Sequence, residues 1–144
     1  MFKKLKYGVP KARLDFLRRV PMLQGLPDKV LARIDSHLDE VTVPAGRKLT
    51  VEGGGSYEAF IVADGTADVQ VGDEVVGQTE VGEMVGEIGL LKNARRAATV
   101  TAITPMRLLV INPRDLRWLL ENETLADRVQ QNLARHTRGT DGTE

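Results

Sequence analysis

Residues 40–111 constrain the fold more than any other part of this chain, because their pattern has no helical period. Val41-Thr42-Val43, Leu49-Thr50-Val51, Ala59-Phe60-Ile61-Val62, Ala67-Asp68-Val69-Gln70-Val71 and Val75-Val76-Gly77 are short runs rich in β-branched residues. Turn formers separate them at Pro44-Ala45-Gly46, Gly53-Gly54-Gly55, Asp64-Gly65 and Gly72-Asp73. Two more runs, 98–103 and 107–111, are joined by Thr104-Pro105. Stiff branched side chains suit a pleated surface, and Gly, Pro and Asp supply the reversals. Strands this short and this evenly spaced predict an antiparallel β-roll or jelly roll of about eight strands.

The flanks change period. Leu14, Leu17 and Val20, with Phe16 beside them, recur at helical spacing after Pro10, and Pro21 stops that segment. Leu26-Pro27-Asp28 opens a second helix with Val30, Leu31, Ile34 and Leu38 on one stripe. After the roll, Asn112-Pro113 has the form of a helix N-cap and first position, and Leu116, Trp118, Leu119 and Leu120 supply an apolar face. A break is expected across 122–124, then a last helix carrying Leu125, Val129 and Leu133. The fold class is therefore α+β, mainly β. Residues 1–144 form one expected domain: N-terminal helices at 1–39, the roll at 40–111, two C-terminal helices at 112–138 and a polar tail at 139–144.

Composition narrows the function classes. Lys+Arg and Asp+Glu both number 20, so net charge gives no reason to expect a nucleic-acid partner. The basic residues are nevertheless gathered in 1–20, seven against one acidic, while 21–100 hold thirteen acidic against seven basic. The cluster Lys3-Lys4-Lys6 reads as a solvated tail. There is no cysteine, which removes disulfides and thiolate metal sites. No apolar run approaches the roughly 20 residues of a membrane span, and a soluble, cytoplasmic chain is expected. His37 and His136 are both expected at the surface, and without a carboxylate cluster they make no metal site. No catalytic constellation and no cofactor is expected.

One segment breaks the strand rhythm. Gly86-Glu87-Ile88-Gly89-Leu90-Leu91 has room for about one helical turn between two strands, and so short a helix gains little from propensity. Its N-terminal N–H groups would face an anion. Gly86 lets backbone approach a ligand, Glu87 offers a carboxylate to hydroxyls, and Arg96 offers a planar fork matched to phosphate. The amides of Ala97 and Ala98 add donors, and their small side chains leave room. Taken singly, each has a bland reading: first-turn carboxylate, solvated loop arginine, turn glycine. Together they describe a pocket for a sugar phosphate.

Gly86-Glu87-Ile88-Gly89-Leu90, followed after five residues by Arg96-Ala97-Ala98-Thr99-Val100, resembles the phosphate-binding cassette of the cyclic-nucleotide-binding domain family. Val51-Glu52-Gly53 and the run Phe60 to Val69 are similar to that family's early strands, in which a glycine here matched by Gly65 closes a hairpin. The resemblance covers roughly 12–138, with a cassette at 85–98. It implies a cyclic-nucleotide ligand, cAMP or, second, cGMP. Glu87 would hold the ribose 2′-hydroxyl, Arg96 an exocyclic phosphate oxygen, and the amides of Ile88, Gly89, Leu90, Ala97 and Ala98 the rest of the phosphate. Leu90 would couple the cassette to the C-terminal helices, and Ala97 after Arg96 favours adenine. Four residues depart from the pattern. Val85 replaces an aromatic, Ser56-Tyr57 replaces Gly followed by an acidic residue, and Arg95 replaces a residue that is often Pro.

Two functions of different class follow. One is a regulatory sensor without its own effector domain, whose output passes to a protein effector or through a homodimer formed by the C-terminal helix. The other is a structural or protein-interaction β-roll with a vestigial cassette. In the sensor, Leu125, Val129 and Leu133 of the last helix are expected to cover the base, with Arg135 or His136 at its edge.

Overall fold

A computed structural model describes residues 9–55, 58–86, 95–112, 114–115, 118, 121–128 and 130–131. The first elements are α1 (Lys11–Arg19), a 3-10 turn (Pro21–Leu23) and α2 (Asp28–Asp35). Pro21 ends α1 by two routes: it has no N–H for the helix, and it forces the residue before it into extended backbone. Val20 accordingly sits at φ −69°, ψ 119°. α2 starts directly after Pro27 with Asp28 in its first turn and buries Leu31, Ala32 and Ile34. Leu38, expected on the same stripe, lies beyond the helix end yet still packs against the helical core.

Eight strands follow among the described residues: β1 (Asp39–Val43), β2 (Lys48–Thr50), β3 (Ala59–Asp64), β4 (Ala67–Val71), β5 (Glu74–Gln78), β6 (Met84–Val85), β7 (Thr99–Ala102) and β8 (Met106–Ile111). They form two sheets, β1-β8-β3-β6 and β2-β7-β4-β5, and every pairing is antiparallel. Helical backbone returns at 114–115, 118, 123–128 and 130–131.

The first sheet is covered on both faces. Alternate residues of β3 and β8 point opposite ways. Phe60, Val62, Met106, Leu108 and Val110 meet Ala67, Val100 and Ala102 of the second sheet. Ala59, Ile61, Leu109 and Ile111 meet Leu14, Leu17, Leu31 and Ile34 of the helices. Both strands therefore read as nearly continuous apolar runs, interrupted at Arg107 in β8 and ended by Asp64 in β3. Each fully buried Leu or Ile here contributes roughly 1.5–3 kcal/mol. At the other extreme, β5 is exposed along its whole length. Its register with β4 jumps between Val69↔Gly77 and Gln70↔Val75, leaving Val76 as the extra residue of a bulge.

Three expectations need correcting. β6 was not expected as a strand, because two residues are too few to show a period. Gly65 does not close a hairpin: β3 pairs with β8 and β6, whereas β4 pairs with β7 and β5. At Gly65 the chain crosses from one sheet to the other, and the 103–105 turn makes the return crossing beside it. Thr66 binds the two crossings together, its N–H donating to Thr104 Oγ1 at 2.9 Å and its carbonyl accepting from Ile103 N at 3.0 Å. Gly65 has φ +90°, and a β-carbon there would collide with the Pro105 carbonyl and lie 2.8 Å from Met106 Cγ. Third, His37 is half-buried rather than a surface residue. Its Nδ1 lies 3.0 Å from Asp115 Oδ1, and its ring is 4.3 Å from that of Trp118.

Both C-terminal helical segments are capped by asparagine. Asn112 Oδ1 accepts from Asp115 N at 3.0 Å, and Asn122 Oδ1 accepts from Leu125 N at 3.0 Å. The second helix thus begins at 123, inside the span expected to be a break.

Gly65→Ala should lower the unfolding free energy by about 2–4 kcal/mol in urea titration, from left-handed backbone strain plus overpacking. Gly77→Ala, in open space on β5, should change it by less than about 0.5 kcal/mol. Asn122→Ala should cost about 1 kcal/mol by the same measurement.

Candidate functional site

The cassette's two described ends converge. β6 delivers Gly86 at its exit, and residues 95–98 lead into β7. Arg96, ten residues on, returns its half-buried side chain to Gly86: Nη1 donates to the Gly86 carbonyl at 3.3 Å, and Nη2 donates to the Glu58 carbonyl at 2.7 Å. Gly86 has φ +89°, and a β-carbon on it would run into the Arg96 guanidinium and lie 2.9 Å from the Glu58 carbonyl oxygen. Glycine is required here for both backbone and space.

The main chain of this segment is held to the loop after β2. Arg96 N donates to the Gly54 carbonyl and Gly53 N donates to the Arg96 carbonyl, both at 2.9 Å. Arg95 Nη1 donates to the Gly53 carbonyl at 2.7 Å. Further along, Thr50 Oγ1 donates to the Ala98 carbonyl at 2.9 Å, and Glu52 N donates to Thr99 Oγ1 at 2.9 Å. Glu52 also accepts from Gly72 N at 2.8 Å, which links the loop to the β4–β5 hairpin. Ala97 is exposed and Ala98 half-buried. On the approach to β6, burial pushes the Glu83 carboxyl above the usual carboxylate range, opposed by a backbone hydrogen bond from Glu80.

The structure thus brings Gly86, Arg96, Ala97 and Ala98 into one region. Glu87, Ile88, Gly89 and Leu90 lie outside the described residues, as do Ser56, Tyr57, Val129, Leu133, Arg135 and His136. Leu125, expected over the base, is instead 2% exposed within the core of the N-terminal helices. Arg128 beside it donates to the Met22 carbonyl at 2.8 Å. The sequence reading missed Glu58, Gly53 and Gly54. They act through main-chain atoms, for which side-chain chemistry gives no signal, although the Gly53-Gly54-Gly55 run marked the loop. Among the described residues, no group of three or more His, Asp or Glu side chains could hold a metal ion, and no helix is long and apolar enough to cross a membrane.

Chemically, this is a guanidinium held by peptide carbonyls against a glycine whose missing side chain makes the space that the guanidinium occupies. Such an arrangement suits a phosphate, because the charge is fixed before the anion arrives.

Residues 40–123 match the model of the cyclic nucleotide-binding domain. The chain is 32% identical over 108 residues to a cAMP-dependent protein kinase regulatory subunit of Colletotrichum orbiculare, covering 74% of this chain and 28% of that protein. The solved structure of cAMP-bound PfPKA-R has the same fold, with TM-score 0.84 and 23% identity over 92% of this chain and 46% of that one. The N-terminal domain of a transcriptional regulator from Streptomyces coelicolor A3(2) matches with TM-score 0.70 and 28% identity, covering 89% of this chain and 96% of that one. The chain therefore spans less than a third of that curated regulatory subunit.

Gly86→Ala should displace Arg96 and lower stability by about 2–4 kcal/mol in thermal or urea unfolding, for the reasons that apply at Gly65.

Proposed function

This chain belongs to the cyclic nucleotide-binding domain family, and from that premise we propose that it binds a cyclic nucleotide, cAMP, as a regulatory module. The observation that carries the reading is the Arg96 guanidinium, fixed against Gly86 and Glu58 at the described end of the cassette. It supplies the charge and planar fork for an exocyclic phosphate oxygen. The amides of Ala97 and Ala98 add to the cradle, Glu87 binds the ribose 2′-hydroxyl, and Ile88, Gly89 and Leu90 supply the turn between. The C. orbiculare relative is named for cAMP dependence, and PfPKA-R holds cAMP in its solved structure. Ala97 after Arg96 supports adenine over guanine. Output passes to a protein effector or a second copy rather than to chemistry on the nucleotide.

The engagement of Arg96 with two carbonyls also favours a second reading, in which the arginine is a structural tie and the roll an interaction domain that binds no nucleotide. Calorimetric titration with cAMP and cGMP separates the two.

On the first reading, cAMP at about 100 times its dissociation constant stabilises the fold by about 2.7 kcal/mol, seen as a rise in Tm. Arg96→Ala weakens binding about 10- to 150-fold. Glu87→Gln weakens it too, and that loss shrinks for a 2′-deoxy ligand, which has no hydroxyl to lose. No Tm change at millimolar cAMP would overturn the proposal.

A further inference from the structure

We propose that Arg95 is a positioning residue: it locks the loop after β2 onto the cassette and thereby sets where Arg96 sits. The inference rests on the nucleotide-binding reading for its effect on affinity, but its geometry is independent of any ligand.

The loop meets Arg96 at two points. Gly53 and Gly54 bond both main-chain polar groups of Arg96, and Glu58, just before β3, accepts from its guanidinium. Residues 53, 54 and 58 therefore hold both the backbone and the side chain of Arg96. A set of contacts is as firm as its weakest member, and Gly53-Gly54-Gly55 is intrinsically the loosest stretch of this sequence. Arg95 acts at that stretch. Its Nη1 donates to the carbonyl of the same Gly53 whose N–H donates to Arg96. One residue is thus held on both of its peptide groups, by the side chain of Arg95 and by the backbone of Arg96. Releasing the Arg95 contact frees the Gly53 carbonyl, loosens the Gly53 N–H bond, and widens the range of positions open to the Arg96 fork. A fork spread over several positions binds an anion less tightly, since the ligand must then supply the ordering.

Arg95 is exposed, so the effect is moderate: Arg95→Ala should weaken cAMP binding about 2- to 10-fold. Arg95→Lys, which retains a cationic donor on a long stem, should bind within about twofold of the parent protein. The decisive measurement is a double-mutant cycle. If Arg95 acts through Arg96, adding Arg95→Ala to Arg96→Ala should change affinity by less than about twofold. An equal loss in both backgrounds would show a general attraction between Arg95 and the anion and would overturn the proposal. So would an Arg95→Ala protein that binds like the parent, or an Arg95→Lys protein that binds like Arg95→Ala. Amide hydrogen exchange of the nucleotide-free protein supplies a separate arm. The Gly53 amide should exchange faster in Arg95→Ala than in the parent, while amides of β3 and β8 stay unchanged. If the parent protein binds no cyclic nucleotide, the functional reading fails, and the exchange result alone decides the lock. Unchanged Gly53 exchange would overturn it.

Discussion

The whole molecule depends on the burial of both faces of the β3–β8 pair. Side chains in a strand alternate, so a strand between two apolar layers must be apolar at every position, and β3 and β8 nearly are. One face closes the roll against β4 and β7, and the other carries the N-terminal helices and Leu125. The helices are therefore not appendages. They cover the outer face of a sheet that would otherwise be wet, and they bring the C-terminal helix into the same core. Neither apolar cluster can be lost without exposing one side of β3.

Against that frame, the candidate site is built largely from peptide groups. The cassette leaves β6 at Gly86 and returns at Arg95 and Arg96, and carbonyls at 53, 54, 58 and 86 hold the returning segment. Two of these carbonyls lie beside strands, 58 directly before β3 and 86 directly after β6, whereas 53 and 54 lie in the loop after β2. The candidate site and the helical core are held by separate sets of contacts. His37 joins Asp115 and Arg128 joins the Met22 carbonyl through polar contacts of 3.0 and 2.8 Å, and Arg33 lies over the Trp118 ring, 4.6 Å from its centroid. Movement of the C-terminal helix would have to exchange those contacts for others, which makes its position a two-sided energetic question rather than free motion.

Much of this was legible in the sequence because it is local. Turn residues bracketed β4 and β5 closely, Asn112 announced a cap that the structure contains, and Pro21 stopped α1 where it stands. The spacing from Gly86 to Arg96 carried the site by resemblance to a family pattern. What stayed hidden is non-local or lacks side-chain chemistry. β6 has two residues and pairs with Phe60 and Ile61, far off in the chain. Gly65 signals a turn wherever it occurs, but whether that turn makes a hairpin or a crossing is decided by partners elsewhere. Leu125 has the periodicity of a buried residue, and periodicity does not say which apolar surface it will meet. Glu58 enters the site through its carbonyl, which every residue possesses.

The bulge at Val76 has a consequence for how the molecule behaves in company. β5 is the outer strand of its sheet and shows Val75 and Val76 to water, more than half exposed each. A flat strand with that edge and those side chains would be a template on which another chain could align, amide to carbonyl, and extend the sheet without limit. The added residue spoils the alignment: it twists the edge and puts its hydrogen-bonding groups out of step with any regular partner. The roll can thus leave an apolar strand uncovered without offering a regular edge along β5 for another chain to extend.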